Sequence, residues 1–221
     1  MASTTTTTTT SSSSTMTLTY FDFAGPAEPV RLALAMTGQP WEDNRISFQE
    51  LPALKPGLPN GQVPVLKVNG KLLPQSGAQL RYVGKLAGLY PEDPLEAAFA
   101  DAAVDAVGDC HMKLAPTVQE KDQDKKMEMR QKLVNDFLPT WLGNLEKALE
   151  TAGGSYFAGG KLSIGDIAVV ARLVWLKEGS LEGIPTTIVD ECPLLSALIE
   201  RVNAEPKIAA YHEKRSESST K

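Results

Sequence analysis

Residues 62–76, QVPVLKVNGKLLPQS, decide the fold. Val63 to Val68 is rich in β-branched residues and enters through Pro64, which a strand tolerates at its start. Asn69-Gly70 is the strongest short hairpin signal, because a two-residue type I′ turn needs positive φ at both positions. Lys71 to Leu73 is then the return strand. Gln75-Ser76 opens a helix to Leu86, with Ser76 as N-cap and Gly88 near the stop.

Working back toward the N-terminus, Thr17 to Asp22 alternates apolar and polar residues and reads as a strand. Gly25 and Pro26 break it. Pro26 suits the first turn of a helix, where its missing N–H costs nothing. Val30, Leu32, Leu34 and Ala35 carry that helix to Gly38. Trp41 to Phe48 forms a second strand, and Gln49 to Asn60 an irregular loop with one helical turn. The order is βαβ followed by ββα, a thioredoxin-like domain over residues 16–90.

Beyond Asp93 strand signals vanish, and Tyr90 to Pro94 is a turn-rich connector. Helices are predicted over Leu95–Gln119, Asp124–Thr151, Ile164–Lys177 and Pro193–Ala204, an all-helical domain spanning 95–215. Ser163 and Asp166 form a capping box with Asp in place of Glu. The helix they open is apolar on all sides, so it belongs at the bundle centre. The fold class is α/β plus all-α: a thioredoxin-like domain and a helical bundle.

Acidic residues outnumber basic ones, 27 to 22, and the charge of -5 disfavours a nucleic-acid partner. No apolar run approaches the length of a membrane span. Two widely spaced cysteines, Cys110 and Cys192, read as reduced thiols in a cytosolic protein. The Ser/Thr stretch 1–15 lacks the apolar core of a secretory signal and the Arg of a transit peptide. It is expected to be a disordered, functionally silent tail, with targeting as the alternative.

Phosphate-loop and GxSxG patterns are absent, and two histidines are too few for a His-based metal site. What remains is a cluster of loop residues at one edge of the first domain. Tyr20 ends the first strand, Val63-Pro64 enters the third, and Gln75-Ser76 begins a helix whose N-terminus suits a carboxylate. A cis Val63–Pro64 bond would turn the Val63 backbone outward, to pair with an extended peptide. That describes a site for a small anionic peptide. On the residues alone, Tyr20 also reads as a strand aromatic, Ser76 as a plain cap and Asp105 as a solvated helix residue.

Four segments in order, TLTYFDFAGPAEPVRLAL (17–34), LPNGQVPVLKVNGKLLPQS (58–76), GLYPEDPLEAAFADAAVDAV (88–107) and KLSIGDIAVV (161–170), resemble the cytosolic glutathione transferases. The tyrosine-type sigma and pi branches fit best, and the similarity runs from Met16 to about Tyr211. The resemblance implies that Tyr20 donates a hydrogen bond to the glutathione sulfur and favours the nucleophilic thiolate. By the same resemblance Val63 pairs with the cysteinyl backbone, Pro64 is the cis-proline, and Gln75 and Ser76 hold the γ-glutamyl group. Lys55, Gln62 and Leu51 fall near the glycyl end. Asp105 reaches the partner subunit's site, so a homodimer is implied.

Glutathione is then a co-substrate, with no metal or redox cofactor. The implied partner is a small hydrophobic electrophile in an apolar cleft between the domains, near Phe21, Phe23, Met112 and Pro116. Conjugation, peroxide reduction and isomerisation all fit. Two positions depart from the family pattern: Pro26 stands where Arg is usual, and Leu51 where Trp is usual. They keep open a non-catalytic, ligand-binding or crystallin-like member of the same fold.

Overall fold

The computed structural model describes residues 15–219. The tail expected over residues 1–15 therefore lies, but for Thr15, outside the described residues. Four strands, β1 (Met16–Phe21), β2 (Trp41–Ile46), β3 (Val65–Val68) and β4 (Lys71–Leu73), form one sheet in the order β2-β1-β3-β4. β1 runs parallel to β2 and antiparallel to β3, with Thr19 opposite Val65, and β3 returns through the hairpin into β4. Asn69 and Gly70 both take positive φ, 49° and 81°, as their turn requires.

Helix α1 (Glu28–Thr37) follows β1 through a 3-10 turn over Gly25–Ala27, and Gly38 closes it in the left-handed conformation. A short helix α2 (Leu51–Leu54) and two 3-10 turns fill the segment expected to be irregular. Helix α3 (Ser76–Leu86) corrects one expectation. Ser76 is its first residue, and the capping position belongs to Gln75, at φ 67° and ψ 108°. The chain leaving Pro74 must swing sharply to enter the helix, and Gln75 takes up that turn.

Helix α4 (Pro94–Gln119) begins at the capping side chain of Asp93, which accepts from the N–H groups of Leu95 and Glu96. The helix expected over 124–151 is divided into α5 (Gln123–Lys132), a π-helical turn over Leu133–Phe137, and α6 (Leu138–Thr151). Pro139 lies just past the wide turn; its ring nitrogen cannot donate to the carbonyl four residues back. α7 (Ile164–Lys177) and α8 (Pro193–Asn203) fall where expected, and α9 (Pro206–Ser219) is an addition. Its polar composition hid it, although Ile208 is fully buried.

α7 is buried from Ile164 to Leu173 and packs against α4, α8 and α1, so it links bundle to sheet. The Asp166 carboxylate starts it, accepting from the Ser163 N–H at 2.7 Å, the Ser163 hydroxyl at 2.7 Å and the Phe157 N–H at 2.9 Å. The Ile164 N–H donates to the Leu89 carbonyl at 2.9 Å. Gly84 of α3 allows that approach, because a Cβ there would lie 2.2 Å from the Ile164 side chain. Among the described residues no helix is long and apolar enough to cross a membrane.

Candidate active site

A cleft of about 550 Å³ opens between the sheet domain and α4. Tyr20, Leu51, Lys55, Gln62, Val63, Pro64, Gln75 and Ser76 all line it. Residues separated by more than 50 positions converge because each ends or begins an element at the same edge of the sheet. Val63 lies just before the β1–β3 register, which begins at Val65, and the Val63–Pro64 peptide is cis. Gln79, fully buried on α3, donates to the carbonyls of both Pro64 and Leu73 at 2.9 Å. It ties the proline loop to the helix whose N-terminus faces the cleft.

Gln75 holds a backbone conformation that costs a residue with a Cβ about 1–3 kcal/mol, and such strain gathers at functional sites. Among the described residues Lys55 is the only charged one on the cleft wall, and it is exposed.

Tyr20 is the penultimate residue of β1, with its ring in an aromatic cluster, 5.1 Å from Phe21 and 5.2 Å from Phe23 between centroids. Burial drives its phenol well above the ordinary tyrosine range, against the opposing pull of Arg31 and Arg172. The hydroxyl therefore stays protonated at neutral pH and serves as a donor. Gly25 makes room for it. At φ 46°, a Cβ on Gly25 would stand 2.6 Å from the Tyr20 hydroxyl oxygen. The Gly-Pro pair, a simple chain break by sequence, thus shapes the space around the hydroxyl.

The opposite wall is helical: His111, Met112, Ala115, Val118 and Gln119 of α4, with Trp175 of α7. Phe21, Phe23 and Met112 lie on the cleft as expected, whereas Pro116 is exposed and off it, displaced by Ala115. One step along the α4 helix turns a side chain by about 100°. Trp175 belongs both to the core and to the cleft wall.

Asp105 stands apart. Its side chain is 71% exposed, outside the cleft lining, and accepts from Arg81 at 2.8 Å. Sequence reasoning gave no site role to Gly25, Gln79, His111 or Arg172. Arg172 had an available signal: a single cation inside the apolar run Ile167–Leu176.

Two sequence families match the chain: "Glutathione S-transferase, N-terminal domain" over residues 16–85, and "Glutathione S-transferase, C-terminal domain" over residues 108–215. The hematopoietic prostaglandin D synthase of Gallus gallus is 38% identical over 199 residues, covering 90% of this chain and 95% of its own. Glutathione S-transferase S1 of Drosophila melanogaster is 33% identical, covering 90% of this chain and 78% of its own. The solved structure of prostaglandin synthase D of Nilaparvata lugens superposes with a TM-score of 0.83 at 37% identity, covering 91% of this chain and 98% of that one.

Proposed function

The chain belongs to the glutathione S-transferase family and is a transferase enzyme; from that premise we propose that it conjugates glutathione to small hydrophobic electrophiles, with Tyr20 holding the thiol as thiolate. The observation that carries this reading is the protonated, buried Tyr20 hydroxyl beside Gly25, at the junction of a polar loop wall and an apolar helical wall.

In this reading an extended tripeptide lies along the loop wall. Its cysteinyl backbone pairs with Val63 before the β3 register begins. Its γ-glutamyl carboxylate meets the N-terminus of α3 at Gln75 and Ser76, where unpaired N–H groups and the helix dipole favour a negative charge. Its glycyl end points toward Lys55, Gln62 and Leu51. The sulfur then falls against the Tyr20 hydroxyl. The thiol proton leaves to solvent, the O–H donates to the sulfur anion, and the thiolate attacks an electrophilic carbon. In the halonitrobenzene case a C–S bond forms and chloride departs. A single charge-assisted bond in a site shielded from water is sufficient to depress a thiol pKa by about 2, equivalent to about 2.7 kcal/mol.

The electrophile lies between Phe21, Phe23, Met112 and Trp175. The exposed Asp105, which does not line the cleft and pairs with Arg81, is available to the γ-glutamyl amine bound by a second copy in a homodimer. Glutathione-dependent isomerisation is the second reading, because a named prostaglandin D synthase is among the relatives. The proposed setting is the cytoplasm.

Conjugation of glutathione to a chloronitrobenzene tests the reading. The parent turns over, and Tyr20→Phe loses about 10²-fold in kcat, the scale of one lost transition-state donor, while retaining glutathione on an affinity column. Activity undiminished in Tyr20→Phe would remove Tyr20 from the mechanism. Binding without turnover in the parent would favour the ligand-binding alternative.

A further inference from the structure

Arg172 is 4% exposed, yet neither its Nε nor its Nη1 has a hydrogen-bond partner, and no carboxylate pairs with it among the described residues. Its guanidinium lies 4.7 Å from the ring centroid of Trp175, one turn further along α7, and that ring lines the cleft. The titratable groups that face it are Cys110 and His111 of α4 and Tyr20 of β1. None of them is negative at neutral pH. Burial raises the Cys110 thiol to about 11, and burial with Arg172 itself lowers His111 to about 4. Tyr20 is a neutral phenol. Burial lowers the pKa of Arg172, but a guanidinium does not give up its proton in a protein. The molecule therefore keeps a buried, uncompensated positive charge behind the wall of the cleft, a costly arrangement unless an anion arrives.

Arg31, the other buried cation near Tyr20, cannot play this part, because Glu28 and Asp43 neutralise it. Lys55, the charge on the cleft wall itself, is exposed to solvent, where water screens its field. We propose that Arg172 supplies the fixed positive field that, together with the Tyr20 hydroxyl, stabilises the glutathione thiolate. It acts through low-dielectric protein and without contact, a positioning charge contributed by the helical domain. The inference rests on the Tyr20 reading and extends it to a second element.

The test is a pH titration of thiolate absorbance in the enzyme–glutathione complex, with kcat/KM followed over the same pH range. The variants are Arg172→Met, Arg172→Gln as a polar substitute should Met fail to fold, and Arg172→Lys. Removing the charge raises the apparent thiol pKa by about one, tenfold less thiolate at a fixed pH below it. Glutathione affinity stays within about threefold and activity recovers as pH rises, on the scale where field alone changes. Lys restores part of the effect. Thermal stability does not fall in Arg172→Met, since an unpaired buried charge has been replaced by an apolar group. A thiol pKa unchanged in both neutral variants, with the parent value depressed and dependent on Tyr20, overturns this inference alone. A parent complex titrating like free glutathione overturns the Tyr20 reading and this inference together.

Discussion

On the α1 side of Tyr20 a buried arginine is fully engaged, and on the α7 side a second buried arginine is engaged by nothing but a ring face. Arg31 donates to Asp43 at 3.1 Å, to the Phe23 carbonyl at 2.8 Å, to Glu28 at 3.2 Å and to the Phe21 carbonyl at 3.0 Å. Glu28 in turn accepts from Arg215 at 2.7 Å and Tyr211 at 3.2 Å, which extends the network to α9. Among the described residues Arg172 has only the Trp175 ring. The two sites hold the same functional group at similar depth, so burial does not separate them; satisfaction does. Arg31 is explained by the fold, because it fixes the loop that leaves β1. Arg172 needs an explanation outside the folded chain alone.

The two sides should therefore fail differently. Arg31→Met strands the carbonyls of Phe21 and Phe23 and removes a buried partner from Glu28 and Asp43. Denaturant unfolding should show a loss of about 3–5 kcal/mol, against no loss for Arg172→Met. A small effect at Arg31 would erase the contrast.

Gly25→Ala separates geometry from charge. The added methyl at φ 46° collides with the Tyr20 hydroxyl while leaving both arginines in place. A displacement of that order should lower kcat/KM about 10²-fold, or about 2.7 kcal/mol. Steady-state kinetics at fixed pH are sufficient to see it. Full activity would mean that the hydroxyl position is not critical.

The smallest effect lies on the orphan side. His111 is held neutral, at about 4 against the ordinary histidine value of 6.5, by burial first and Arg172 second. The unfolded chain takes up that proton first, so stability from this group is complete above about 6.5 and declines as pH falls toward 4. For a partly exposed ring the loss is at most about 2 kcal/mol. His111→Gln should flatten the melting temperature over that window. His212, lowered by burial as well, leaves a residual slope.

These differences also mark how far the sequence could be read. The loop wall of the cleft was legible because its signals are local: Asn69-Gly70 demands its turn, Val63-Pro64 opens its strand, and Gln75-Ser76 opens its helix. Even there Ser76 was misplaced by one residue, since capping preference favours Ser over a Gln held at positive φ. The helical wall was legible only as helix. Which side chain of α4 meets the cleft turns on rotation about its axis, and Pro116 was expected where Ala115 lies. The partners of Arg31 come from β1, the following loop, α1 and β2, whereas among the described residues Arg172 has a ring face and no acceptor. Two arginines in two apolar helices look alike until the elements around them are assembled. The break between α5 and α6 was missed because periodicity tolerates one wide turn.

The most direct check on Tyr20 is the thiolate titration of glutathione bound to the parent and to Tyr20→Phe. The expected result is a parent thiol pKa about 2 below that of free glutathione, largely restored in the variant while glutathione remains bound. Equal thiol pKa values in the two complexes would contradict a thiolate held by the Tyr20 hydroxyl.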